Sequence, residues 1–206
     1  MPKIKRQPLT LPQYERIFRT IHGILLNEEC DPSKSCMYFA LMGAFIVQQH
    51  HRLNANPRAG AAAYNFGLPG NSVLAFGRSE DGKLISDDNA FHFWIEVDDW
   101  VIDFAAPLFQ AANVQPKMFQ KTKSSLAPNP NELDEPGSFV HATNPGLTNS
   151  LLQHFQSLPM NADLVNIGTN WYRPPPKTMT PFIQVSDSHG KMSQVRLSPV
   201  TLVGAW

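Results

Sequence analysis

The 206-residue chain carries only two cysteines, Cys30 and Cys36. Two are too few for a disulfide framework in a chain of this length, so a reduced, cytoplasmic protein is expected. Net charge is missing as well, since 17 Lys+Arg balance 17 Asp+Glu. A neutral chain gives no electrostatic case for nucleic acid or an anionic membrane, and its aromatic residues are not interleaved with basic ones. Long apolar runs are also lacking: the longest, 37–47, is too short to span a bilayer. The basic opening Met1–Gln7 leads into no apolar stretch, so no signal peptide is expected. There are no internal repeats or low-complexity tracts. What remains, 42% hydrophobic and 17% charged, is the composition of a globular protein. The length suits a single domain over 1–206 with a sizeable core.

Helical patterns come first. Thr10-Leu11-Pro12-Gln13 has the form of a capping box. Leu11, Tyr14, Ile17, Phe18, Ile21, Ile24 and Leu25 then form one apolar stripe that predicts a helix to about Glu28. Cys30-Asp31-Pro32 breaks it. A second helix is expected from Ser33 or Ser35 to about His50, apolar nearly all round and so buried on most sides. His50 and His51 read as cations at its C-terminus. Strands are expected at 61–66 and 72–77, a turn at 79–82 and a hairpin over 91–106. Pro107–Pro136, rich in proline and asparagine, reads as a surface excursion or lid. A helix at 147–158 and a closing hairpin, 182–185 with 192–197, complete the pattern. Ser186–Gly190 is the turn of that hairpin, with Gly190 free to take a positive φ. Helices followed by an antiparallel sheet make the fold class α+β.

The hairpin carries the chemistry. If Val97 pairs with Trp100 across Asp98-Asp99, one face holds Phe91, Phe93, Ile95, Val97, Trp100, Ile102 and Phe104, all apolar. The other holds His92, Trp94, Glu96, Val101, Asp103 and Ala105. His92 and Asp103 are then diagonal neighbours, about 7–8 Å apart between backbones and within side-chain reach. Upstream, Cys36 falls in the first turn of the buried helix. There the helix N-terminus favours thiolate and offers free backbone N–H groups to an oxyanion. Nucleophile, imidazole and orienting carboxylate are the parts of a triad.

These residues are similar to the core of the papain-like fold in its transglutaminase-like branch. The shared features are a Cys opening a buried helix, a His-x-Trp-x-Glu-Val strand and a Trp-x-x-Asp strand, at 33–51 and 73–107. The resemblance implies nucleophile, general base/acid and orienting carboxylate for Cys36, His92 and Asp103. It also implies acyl transfer from an amide or ester through a thioester. Several flanks differ: Ser33-Lys34-Ser35 stands where glycine is familiar, and position 30 is Cys rather than the papain-like Gln. No Trp precedes Trp94, and the Arg and paired Gly of the acetyltransferases are absent, which argues against coenzyme A. The Cys36 N–H is one expected oxyanion donor, and Asn27 or Ser35 the other.

Other candidates are weighed beside this set. A cysteine in a buried helix also fits as a small core residue, and a strand histidine as a satisfied one. Trp94 is either a wall of the substrate cleft or packing. Glu96 is expected to be solvated or paired with a surface cation. His141 can replace His92 as base, but no carboxylate lies near it at strand spacing. Cys30 reads as a helix-end residue or a resolving thiol. Zinc is rejected, because a helix from 33 to 50 would hold Cys36 and His50 about 20 Å apart. No nucleotide or flavin pattern occurs, so no cofactor is expected. The expectation is a cysteine peptidase or amidase acting on a peptide, protein or small amide. Its alternatives are a transglutaminase-like amine acyltransferase and a non-catalytic peptide- or protein-binding module. Oligomeric state is not encoded in any pattern seen here.

Overall fold

The computed structural model describes residues 7–206 apart from 69, 71, 82, 111–114 and 187–188. The basic opening up to Arg6, the turn glycine Gly82 and the turn residues Asp187 and Ser188 therefore lie outside the described residues. Helix α1 (Leu11–Asn27) starts where the capping box places it, the Thr10 N–H donating to Gln13 Oε1 at 2.8 Å. Its stripe from Tyr14 to Leu25 is buried. A 3-10 turn (Pro32–Lys34) leads into α2 (Cys36–His51), with Ser35 as N-cap and Cys36 as the first helical residue. Helix α2 is buried on most sides, although Phe45 is half exposed.

Strand β1 (Ala55–Leu68) is far longer than the stretch expected at 61–66. It pairs with β2 (Ser72–Phe76); β3 (Arg78–Glu80) and β4 (Lys83–Ile85) make a small separate hairpin. Next come β5 (His92–Val97), β6 (Trp100–Asp103), β7 (Phe119–Thr122) and β8 (Phe139–Thr143). The main sheet runs β2-β1-β5-β6-β7, with β8 also on β1. Gly60 is flanked by His92 and Thr143, and Ala62 by Phe76 and His141. Since β8 holds one side of both, β2 and β5 lie end to end along the other. That arrangement brings the end of β2 against the start of β5.

The stretch read as a surface excursion, 107–136, is not one throughout: it contributes β7, whose Phe119 and Gln120 are buried. Helices α3 (Pro145–Ser157) and α4 (Pro159–Trp171) follow, then the hairpin of β9 (Phe182–Ser186) and β10 (Met192–Arg196). Gly190 takes φ +78° in its turn. The class is α+β. Among the described residues, no helix is long and apolar enough to cross a membrane.

The larger core lies between the helices and one sheet face. It takes in Phe93, Ile95, Val97, Ile102 and Phe104, the apolar face of the hairpin. A second, smaller core covers the opposite face with Tyr64, Phe66, Trp94, Val101, Phe119 and Phe139. His92 and Asp103 on that face are therefore enclosed rather than open to solvent, while Glu96 stays partly exposed. At the far end of α2, His50 Nε2 meets the Thr169 carbonyl at 2.9 Å and His51 Nε2 meets the Tyr172 hydroxyl at 2.8 Å. Burial, aided by His50, holds the His51 pKa down, so His51 is not the helix-end cation expected.

Candidate active site

Strands β5 and β6 pair in the register expected, Val97 opposite Trp100 and Ile95 opposite Ile102. That register makes His92 and Asp103 diagonal neighbours, and the side chains close the gap: His92 Nε2 lies 2.7 Å from Asp103 Oδ2. Both residues are fully buried. A buried carboxylate is costly unless hydrogen-bonded, and Asp103 is saturated. Its Oδ1 accepts the Ala105 and Ala106 N–H groups at 2.9 and 3.2 Å, and its Oδ2 also accepts the Tyr64 hydroxyl at 2.7 Å. The Tyr14 hydroxyl, from α1, donates to the Asp103 backbone carbonyl. Burial alone would raise the Asp103 pKa; the His92 charge and the bonds from His92 and Tyr64 outweigh it and hold the pKa below the usual value.

Because Asp103 is a carboxylate, His92 must carry its proton on Nε2. Burial pulls the His92 pKa down. The Asp103 charge and hydrogen bond, with the Cys36 sulfur as a further partner, reverse this and raise it to about 10. Nδ1 has no hydrogen bond of ordinary geometry among the described residues. The Cys36 sulfur makes no hydrogen bond there, yet it is near enough to help raise the imidazole pKa. Cys36 itself is partly exposed. It is brought there by the seating of α2 on β5 and of the turn Pro32–Lys34 against a 3-10 turn at Ala106–Phe109. Phe76 stacks on His92 at 4.4 Å between ring centroids, and Phe109 meets it at 5.7 Å.

The remaining expected residues fall elsewhere. Trp94 is 1% exposed, packed in the smaller core and stacked on His141 at 4.0 Å, so it is packing and not a cleft wall. Ser35 has both donors in use: its hydroxyl reaches the Asp31 carbonyl at 2.8 Å and its N–H the Pro32 carbonyl at 3.1 Å. The Asn27 amide donates to Glu28 on the exposed surface at 3.0 Å. Neither is therefore presented as an oxyanion donor. Cys30 is exposed, its thiol directed to the Glu28 carbonyl. Glu96 pairs with cations, Lys123 at 2.8 Å and Arg58 at 3.5 Å. Large clefts lie apart from Cys36, one of about 690 Å³ between α4 and β9 and one of about 410 Å³ between α2 and the α3–α4 pair.

The bonds that Tyr14, Tyr64 and the turn after Asp103 make to Asp103 were not visible in the sequence pattern. His141 was, but only as a substitute base. In fact the Tyr64 hydroxyl touches both Asp103 and His141, the latter at 2.8 Å, so a tyrosine bridges the gap that strand spacing left.

Among curated proteins nothing matches this chain. A solved structure described as "The crystal structure of genomics APC5867" is similar over 99% of this chain and 100% of its own, with 35% identity and a TM-score of 0.86. A family model described as "Protein of unknown function (DUF2026)" matches residues 10–206, and the chain belongs to that family.

Proposed function

We propose that the protein is a thiol-dependent acyl-transfer enzyme, a cysteine peptidase or amidase, with Cys36, His92 and Asp103 as its triad on a papain-like, transglutaminase-like scaffold. The observation that carries this reading is the buried 2.7 Å His92–Asp103 bond, which leaves Nδ1 of His92 unpartnered among the described residues, with the Cys36 sulfur near enough to act on the imidazole. A merely structural histidine has no need of a saturated carboxylate behind it and a partly exposed thiol before it.

In this mechanism the Cys36 thiolate attacks the substrate carbonyl carbon, forming a C–S bond and an oxyanion. Its oxygen meets the Cys36 N–H at the start of α2, where backbone donors have no partner within the helix. Collapse breaks the C–N bond, and the leaving amine takes the proton from His92 Nδ1. Water then attacks the thioester as His92 takes its proton, the C–S bond breaks, and a carboxylic acid leaves. An amine in place of water would give transfer instead of hydrolysis by the same steps. Asp103 holds the imidazole in one tautomer throughout.

The test is mass spectrometry of the protein after exposure to activated acyl esters and amides. An acyl group on the Cys36 peptide, absent from Cys36→Ser and turning over with time, is expected. No adduct at Cys36, with iodoacetamide still able to reach it, would overturn the reading.

A further inference from the structure

Behind the triad, His92 and Asp103 continue into a hydrogen-bonded chain whose other two members the acyl-transfer steps do not use. It draws one residue from each of four strands: His92 from β5, Asp103 from β6, Tyr64 from β1 and His141 from β8. Tyr64 pairs with Phe139 across the β1–β8 ladder, which makes His141 its diagonal neighbour. The protons on this chain can be placed. Asp103 is a carboxylate and only accepts, so the single Tyr64 hydroxyl proton points to Oδ2, 2.7 Å away. The 2.8 Å contact between Tyr64 and His141 Nε2 must then be donated by His141. Burial, with the His92 charge, pushes the His141 pKa down to about 3, so its ring is neutral and has one proton to give. Its ring plane is held by stacking on Trp94. His141 Nδ1 is left bare and unpartnered among the described residues. Asp103 Oδ2 thus has two donors, the imidazole and the phenol, competing for one oxygen.

We propose that Tyr64, its hydroxyl aimed by His141, is a positioning residue that takes up part of the Asp103 charge and so loosens that carboxylate's hold on the His92 proton. The inference rests on the triad reading above. An imidazolium held too firmly is a poor acid toward a leaving amine, and efficiency is best when the proton is nearly balanced. If Tyr64 only fills the smaller core, its ring is what matters. If it positions Asp103, its hydroxyl does. The titratable groups around the pair are Cys36, Tyr14, Tyr64 and His141.

The experiment is an NMR titration of the His92 imidazole in the wild type, Tyr64→Phe and His141→Phe, with thermal melts alongside. In Tyr64→Phe the His92 N–H resonance should move downfield and its titration should rise by about one pH unit, the scale of one hydrogen bond to a charge. His141→Phe keeps an aromatic ring against Trp94 and should shift the titration the same way by less, which covers the case of Tyr64→Phe failing to fold. An unchanged or lowered His92 titration in a folded variant overturns the proposal. If acyl adducts form on Cys36 but the titration does not move, this inference alone fails. If the titration moves but Cys36 never acylates, the enzyme reading fails and the hydrogen-bonded chain stands.

Discussion

Asp103 receives more of the protein's hydrogen-bonding capacity than any other side chain near Cys36, and its substitution separates orientation from packing. In Asp103→Asn the amide oxygen can keep the Ala105 and Ala106 bonds, while the amide nitrogen faces two donors, His92 Nε2 and the Tyr64 hydroxyl. The imidazole relieves this by moving its proton to Nδ1, where it blocks the base function toward Cys36. Acylation of Cys36 should slow by on the order of 100-fold or more, the scale of general acid–base assistance. The melting curve should remain cooperative, and rates from stopped-time mass spectrometry alongside calorimetry would show both. Cooperative unfolding lost together with activity would make Asp103 structural. The pair His92–Asp103 was legible because a two-residue turn and strict alternation fix a hairpin register within a dozen residues. The bonds from Tyr64 to Asp103, across 39 positions of sequence, and to His141, across 77, were not, because no local pattern encodes which strands become neighbours.

At the level of elements, the position of Cys36 depends on how closely α2 sits on the hairpin. Gly43 makes that approach possible: a Cβ there would come within 2.6 Å of Phe104 Cε2, and Phe104 is 1% exposed and cannot give way. Gly43→Ala would gain up to about 1 kcal/mol in helix propensity but lose about 1–3 kcal/mol to overpacking. A net loss of stability is expected, with slower alkylation of Cys36, seven residues upstream on the same rigid element. Urea unfolding and alkylation rates check it; unchanged alkylation in a destabilised variant would show that the helix seat and the thiol are independent. Strand β1 shows why composition misled at this scale. Its run Ala55–Gly60 lacks the β-branched residues that mark strands, but small residues are what the packing requires. A Cβ on Gly60 would meet the Ala142 carbonyl carbon at 2.9 Å, because β8 crosses so close. Helix α4 was not expected; it opens directly after α3 with Pro159 as its first residue, where proline is tolerated.

For the whole molecule, enclosing a charged pair and a neutral histidine in the smaller core ties stability to pH in two directions. His141 is held neutral to about pH 3, whereas in the unfolded chain it takes up a proton below about 6.5. Stability should therefore fall as pH drops from that point, and His22 and His51, both lowered by burial, act the same way. His92 has the opposite sign. Its folded-state pKa of about 10 contributes stability that is complete below about 6.5 and is lost as pH rises toward 10. Urea midpoints against pH should peak near 6.5, each limb sloping by up to about 1.4 kcal/mol per pH unit for every proton involved. His141→Gln should flatten the acid limb and His92→Gln the alkaline one; an alkaline limb unchanged in His92→Gln would contradict the charged pair. The α+β class and the order of most elements could be read from periodicity. The second core could not, since it forms only when the sheet closes over its own polar face.

The measurement that tests the central claim most directly is the rate of iodoacetamide alkylation at Cys36 and Cys30, resolved by peptide mass spectrometry across pH in the wild type and His92→Gln. An ordinary thiol reacts little at pH about 6, well below its ionisation near 8.5. The expected result is fast labelling of Cys36 at that pH, slow labelling of Cys30, and loss of the difference in His92→Gln. Labelling of Cys36 no faster than Cys30, or unaffected by His92→Gln, would contradict a thiolate held by His92.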